Sequence, residues 1–208
     1  NGVHKVMYAV ALNDGKVRKR TIASCAVTSS ITIGSGGSAG REGPTVQIGS
    51  AVGSTIGQLL HLSTERMRVL VGCGAAAGIA ASFNAPLAGV LFALEIILGD
   101  FTIHTFSPII IASVIGTVTG RALEGNEVTF NVPVHELVHP AEIIFYLALG
   151  MLCGIVARLF TFMYFYVQQV FEEKFSMPDL YKPAIGGLMV GMISIFIPQI
   201  LGNGYNVM

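Results

Sequence analysis

Five long stretches of this chain carry no charged side chain. Residues 21–40, 43–64, 69–94, 101–120 and 183–208 contain no Lys, Arg, Asp or Glu. A helix crosses the hydrocarbon of a bilayer with about 20 mostly apolar residues, and several of these stretches reach that length. Over the whole chain hydrophobic residues make up 52% and charged residues 12%, the latter about half the share usual in soluble domains. The expected class is an all-α, polytopic protein of the membrane, integral and multi-pass. Disordered, collagen-like and coiled-coil folds need polar or repetitive sequence and do not fit. Twelve Lys+Arg balance twelve Asp+Glu, so no basic field exists to hold a nucleic acid.

The apolar stretches are not uniformly greasy. Thr28, Ser29, Ser30 and Thr32 lie in the first, and Gln47, Ser50, Ser54, Thr55 and Gln58 in the second. Polar side chains at membrane depth face protein or a water-filled path, a pattern that suits a channel or transporter better than an anchor. The N-terminus lacks the basic-then-apolar order of a signal peptide, and the chain reads as a piece of a longer one. A basic segment (Asp14, Lys16, Arg18, Lys19, Arg20) leads into a span near 21–33, a glycine-rich break at 34–40 and helical sequence over 42–60. Two helical pieces, 67–82 and 85–98, are split at Asn84-Ala85-Pro86, because proline disfavours helix in the residue before it. Further spans cover 106–122, 140–173 and 183–200, with a polar loop over 124–139.

Glycines recur four apart at Gly49/Gly53/Gly57, Gly74/Gly78, Gly116/Gly120, Gly150/Gly154 and Gly187/Gly191. That spacing lets neighbouring helices approach closely. Gly40-Arg41-Glu42-Gly43-Pro44 points to chemistry as well. Backbone N–H groups at a helix start have no internal partners and can bind an anion. Glu42 would lie there as a lone acid within apolar sequence, either competing with an anion for those groups or simply capping the helix.

Gly40 to Gly49 resembles the GREGP signature of the CLC family of chloride channels and proton/chloride exchangers. Gly74-Ala75-Ala76-Ala77-Gly78 through Asn84-Ala85-Pro86 to Glu95 is similar to that family's following segment. Asn1-Gly2-Val3-His4 falls where the family carries its first anion loop, with His4 in place of a proline. Leu201-Gly202-Asn203-Gly204-Tyr205-Asn206 resembles the glycine-rich start of the second half. The resemblance implies broken, tilted helices in two inverted repeats, of which residues 1–208 would form one partial transmembrane domain. The second-half pore loop and pore tyrosine would be missing. Asn1-Gly2 and Asn203-Gly204, each followed shortly by Val-Met, are a faint trace of that repeat.

Carried over, the resemblance implies voltage-gated chloride transport, with no enzymatic activity and no cofactor or resident metal. Glu42 would be the gating carboxylate, Gly40, Arg41, Glu42 and Gly43 would help bind the anion through the backbone, and Asn1 would align with a central serine. Exchangers of the family carry two adjacent acids on the inner proton path. Here these positions are Glu95 and Ile96, and isoleucine cannot carry a proton, so the expectation is a passive channel, with a proton-coupled exchanger as the alternative. The implied partners are chloride or another small anion, lipid and a second copy of the chain, in a homodimer meeting near 85–98 and 106–122.

Other motifs have plainer readings. His135-Glu136-Leu137-Val138-His139 fits the HExxH zinc-protease pattern, a more distant alternative. Pro140 biases His139 away from helix, so a solvated loop is expected. Gly34-Ser35-Gly36-Gly37-Ser38-Ala39 follows a β-prone run, but no acid follows about 20 residues on, as a dinucleotide site needs. Cys25, Cys73 and Cys153 are expected to be buried structural thiols, and Arg158, the one charge between Glu142 and Glu172, to meet lipid, an anion or another helix.

Overall fold

The structure, a computed structural model, describes residues 2–126, 142–171 and 181–205; among them all regular structure is helical. Two units are formed, residues 1–131 with 197–208, and residues 132–196. In the first, α1 is Val3–Leu12, α2 Arg20–Gly34, α3 Glu42–Leu59, α4 Thr64–Phe83, α5 Pro86–Phe92 and α6 Ile103–Glu124. The second contains α7, Glu142–Gln169, and α8, Lys182–Ser194. Three of these, α4, α6 and α7, are long and apolar enough to cross a membrane.

The centre of the first unit is α4, packed between α3 and α6 with α5 against it. Apart from Met67 its buried residues are small or β-branched, with Val71, Ala75, Ala76 and Ala80 inaccessible, so the helices approach backbone to backbone. At the α3–α4 crossing a Cβ on Gly49 would run into the Gly74 carbonyl, and one on Gly74 into that of Gly49. The spacing of small residues read from the sequence is therefore used here. Gly150, Gly154, Gly187 and Gly191, in the second unit, meet nothing within 4 Å, and the same spacing produces no close contact among the described residues.

Buried hydroxyls find acceptors, as they must where water is excluded. Ser50 donates to the Val71 carbonyl at 3.3 Å, Ser54 to that of Gly15 at 2.7 Å and Ser113 to that of Pro86 at 2.6 Å. The break between α4 and α5 falls at Asn84, which ends α4 in the left-handed conformation at φ 53°. Asn often takes this helix-terminal position. Arg121 of α6 donates to its side-chain oxygen at 2.5 Å. The 85–98 piece is not uniform: α5 passes at Ala93 into a π-turn, Ala93–Leu98, that ends at left-handed Gly99.

Several expectations are corrected. Val3–Leu12 is a helix, where the sequence reading assigned no element. Its buried Val6, Ala9 and Val10 are spaced as one helix face. The span 183–200 is not continuous, since α8 ends at Ser194 and only a short 3-10 turn, Pro198–Ile200, follows. Ile197, at φ −133° and ψ 79°, has left the helical region, as a residue before proline tends to. The run Ala26–Ile33 is helix, not strand, which removes the structural basis of a dinucleotide loop. Of the three cysteines only Cys73 is buried; Cys25 is half-buried and Cys153 exposed, because α7 buries none of its residues among those described.

Candidate functional site

The chain after α2 has to reverse within a few residues, and the run 34–40 allows it. The N–H of Gly37 bonds back to the Thr32 carbonyl at 2.8 Å. Two further bonds tie this loop to a distant strip of chain: Ala39 N–H donates to the Gly202 carbonyl at 3.1 Å, and Gly202 N–H to that of Gly36 at 3.4 Å. Helix α3 then begins at Glu42.

At that start the Arg41 carbonyl accepts from both the N–H of Thr45 at 3.0 Å and its hydroxyl at 2.7 Å. Pro44 has no N–H to offer. The N–H groups of Gly40, Glu42 and Gly43 have no acceptor among the described residues, which is the condition for an anion to be held there. Gly43 also lies near Gly2: a Cβ added to Gly43 would be 3.8 Å from the Gly2 Cα. Gly2 directly precedes α1, so two helix N-termini with their positive dipole ends are brought together. Asn1 lies outside the described residues.

The Glu42 side chain turns back over Gly40. A Cβ on Gly40 would collide with Oε2 of Glu42, so the carboxylate occupies space that only glycine leaves open. Its Oε1 accepts a hydrogen bond from the Tyr205 hydroxyl. Arg41, grouped by sequence with the anion-binding backbone, sends its guanidinium to the end of α4 and to the Tyr205 phenol. It donates to the Ser82 carbonyl at 2.9 Å and lies 5.2 Å from the Phe83 ring and 5.1 Å from that of Tyr205. The two rings meet edge to face at 6.1 Å. Tyr205, Phe83 and Ser82 were not singled out by sequence. The nearest signal was the glycine-flanked aromatic in Gly202-Asn203-Gly204-Tyr205.

Glu95 and Ile96 lie elsewhere, in the π-turn. They line a cavity of about 850 Å³ shared with Glu65, Arg68, Asp100 and His104. The Asp100 carboxylate is partly used there, accepting from the N–H and hydroxyl of Thr102 at 3.1 Å each. A second cavity, about 520 Å³, has Lys5, Lys16 and Arg18 in its wall beside buried Gln47. Arg158 lies exposed on α7. The HExxH segment, residues 135–139, lies outside the described residues.

Apolar helices broken by glycine and proline, three of them long enough to cross a membrane, define an integral membrane protein. The voltage gated chloride channel family matches residues 1–208, and the chain belongs to this CLC family. It is 36% identical over 210 residues to a ClcB-like chloride channel protein of Ralstonia nicotianae, covering 99% of this chain and 49% of that one. It is 34% identical over 179 residues to the H(+)/Cl(-) exchange transporter ClcA of Vibrio cholerae, covering 83% of this chain and 38% of the other. Among solved structures it is similar to a slow cyanobacterial Cl-/H+ antiporter, with TM-score 0.83, 26% identity, and 99% and 49% of the two chains covered. It is also similar to a CLC-type fluoride/proton antiporter, with TM-score 0.84, 27% identity, and 97% and 51% covered. The chain thus spans about half the length of these structures and half or less of the relatives.

Proposed function

We propose that the protein carries chloride or another small anion passively across a membrane, with Glu42 as the gate. The observation that carries this reading is the Glu42 carboxylate lying back over Gly40, next to backbone N–H groups with no acceptor among the described residues. A carboxylate seated there keeps an anion from those groups; protonated or displaced, it leaves them to the anion. The basic wall of Lys5, Lys16 and Arg18 would raise the local anion concentration. In the whole protein, helix starts from a second repeat would complete the site, Asn1 would add a side-chain donor, and two copies would pair in a homodimer. The exposed apolar side chains Leu87, Ile111, Ile115 and Val118 on α5 and α6 suit such an interface.

Passive conduction rests on Ile96, which offers a proton nothing to bind where the family's exchangers have a second acid. One observation favours coupled exchange instead: Ile96 shares its cavity with Glu65, Glu95, Asp100 and His104, so other ionisable groups stand near the gap in the relay. The two solved structures named above are both proton antiporters by name.

Both parts can be tested on the full-length protein in liposomes under a chloride gradient, varying the transmembrane pH difference. For a channel the reversal potential follows chloride alone, and Glu42→Gln, which resembles the protonated acid, leaves transport persistently open and insensitive to external pH. A reproducible shift of reversal potential with the proton gradient would establish the exchanger. Wild-type pH dependence in Glu42→Gln would return Glu42 to a helix-capping role.

A further inference from the structure

We infer that Tyr205 is a positioning residue that latches the Glu42 carboxylate in its seat over Gly40. This rests on Glu42 acting as the gate. The phenol hydroxyl donates to Oε1 of Glu42 while Oε2 packs over Gly40, so both carboxylate oxygens are engaged in one position. The phenol is itself held from three sides. Gly202 is bonded through both its N–H and its carbonyl to the loop that precedes Glu42. Gly202 and Gly204 then turn the chain with φ 73° and 71°, values open to glycine at no steric cost. The Arg41 guanidinium sits over the Tyr205 ring, with Phe83 against the ring edge. Arg41 is anchored to the end of α4 through the Ser82 carbonyl.

A hydrogen bond to a charged acceptor is among the stronger ones in proteins. It exists here only while Glu42 is seated. When the carboxylate swings out the hydroxyl loses this acceptor, so the bond biases the gate toward the seated state by roughly tenfold or more. Phenylalanine at this position keeps the ring, the cation–π contact and the edge contact, and removes the hydroxyl, with its donation to Glu42 and its contact with Arg41.

The test is a double-mutant cycle on the full-length protein in liposomes, measuring initial chloride efflux for wild type, Tyr205→Phe, Glu42→Gln and the double variant. Tyr205→Phe is expected to raise efflux several-fold, toward the level of Glu42→Gln, and to add nothing in the Glu42→Gln background. Wild-type efflux in Tyr205→Phe beside raised efflux in Glu42→Gln would overturn the latch and leave the gate standing. A further rise in the double variant would also overturn it, since the hydroxyl would then act elsewhere. Unchanged efflux in Glu42→Gln would remove the gate itself. Infrared difference spectra separate that failure from the latch geometry. The Glu42 carboxylate band, identified by its loss in Glu42→Gln, is expected to shift in Tyr205→Phe, and an unmoved band would show that the hydrogen bond is not made.

Discussion

Glu42 has little room to choose where it sits, because Gly40 and Tyr205 take its two carboxylate oxygens. Gly40 does not have positive φ, so alanine fits its backbone there. The added methyl would meet only the mobile end of the Glu42 side chain. Gly40→Ala is therefore expected to dislodge the carboxylate while retaining the backbone N–H groups, raising anion flux several-fold in liposomes. The protein should remain folded with a melting temperature only a few degrees below wild type, since what is given up is the Tyr205 hydrogen bond, about 1.5–3 kcal/mol. Wild-type flux in a well-folded Gly40→Ala protein would mean that the space over Gly40 is not the seat of the gate. Glu42 was legible in the sequence as a lone acid flanked by glycine, but its partner was not. Tyr205 is 163 residues away, and no local pattern records a contact over that separation.

Helices show the same division between local and long-range information. The 21–33 span, the start of α3 and the break at Asn84 follow from apolar runs, glycine and proline, each of which acts within a few residues. Spacing of glycines four apart did not reveal which pairs would touch. A Cβ on Gly53 would collide with the Leu70 carbonyl, while Gly150 has nothing within 4 Å. Gly53→Ala should therefore force α3 and α4 apart and destabilise the protein by about 1–3 kcal/mol. Gly150→Ala should be neutral or stabilising by up to about 1 kcal/mol, through the lower backbone entropy of the unfolded chain. Thermal melts in one detergent compare the two directly, and equal melting temperatures would refute the assigned contact. Helix α1 could have been found from the spacing of Val6, Ala9 and Val10, whereas the π-turn at 93–98 leaves no periodic signature to read.

For the molecule as a whole, two of the spans that can cross a membrane expose much of their apolar surface: α7 buries none among the described residues, and α6 exposes Ile111, Ile115, Val118 and Leu123. Such faces need lipid or protein against them, because water cannot cover them without cost. The chain also spans about half of the similar antiporter structures, whose fold it shares. Residues 1–208 expressed alone are expected to stay monodisperse only in detergent or lipid and to give no anion flux in liposomes. Two helix starts, at Gly2 and Gly43, meet here, and an anion at membrane depth requires more donors than these to replace its hydration. Robust chloride efflux from vesicles holding only residues 1–208 would show that one repeat makes a complete path.

The sequence by itself determined the class: charge-free stretches of membrane length can only be helices, because hydrocarbon offers backbone groups no other partner. It also determined the helix break at Pro86 and the family, through long motifs in the right order. Tertiary structure decided what those local patterns leave open. It put Glu42 under the hydroxyl of Tyr205, set α3 and α4 at backbone contact through Gly49 and Gly74 and left Cys153 exposed. Each of these depends on which surfaces meet, and helix periodicity names a face without naming its partner.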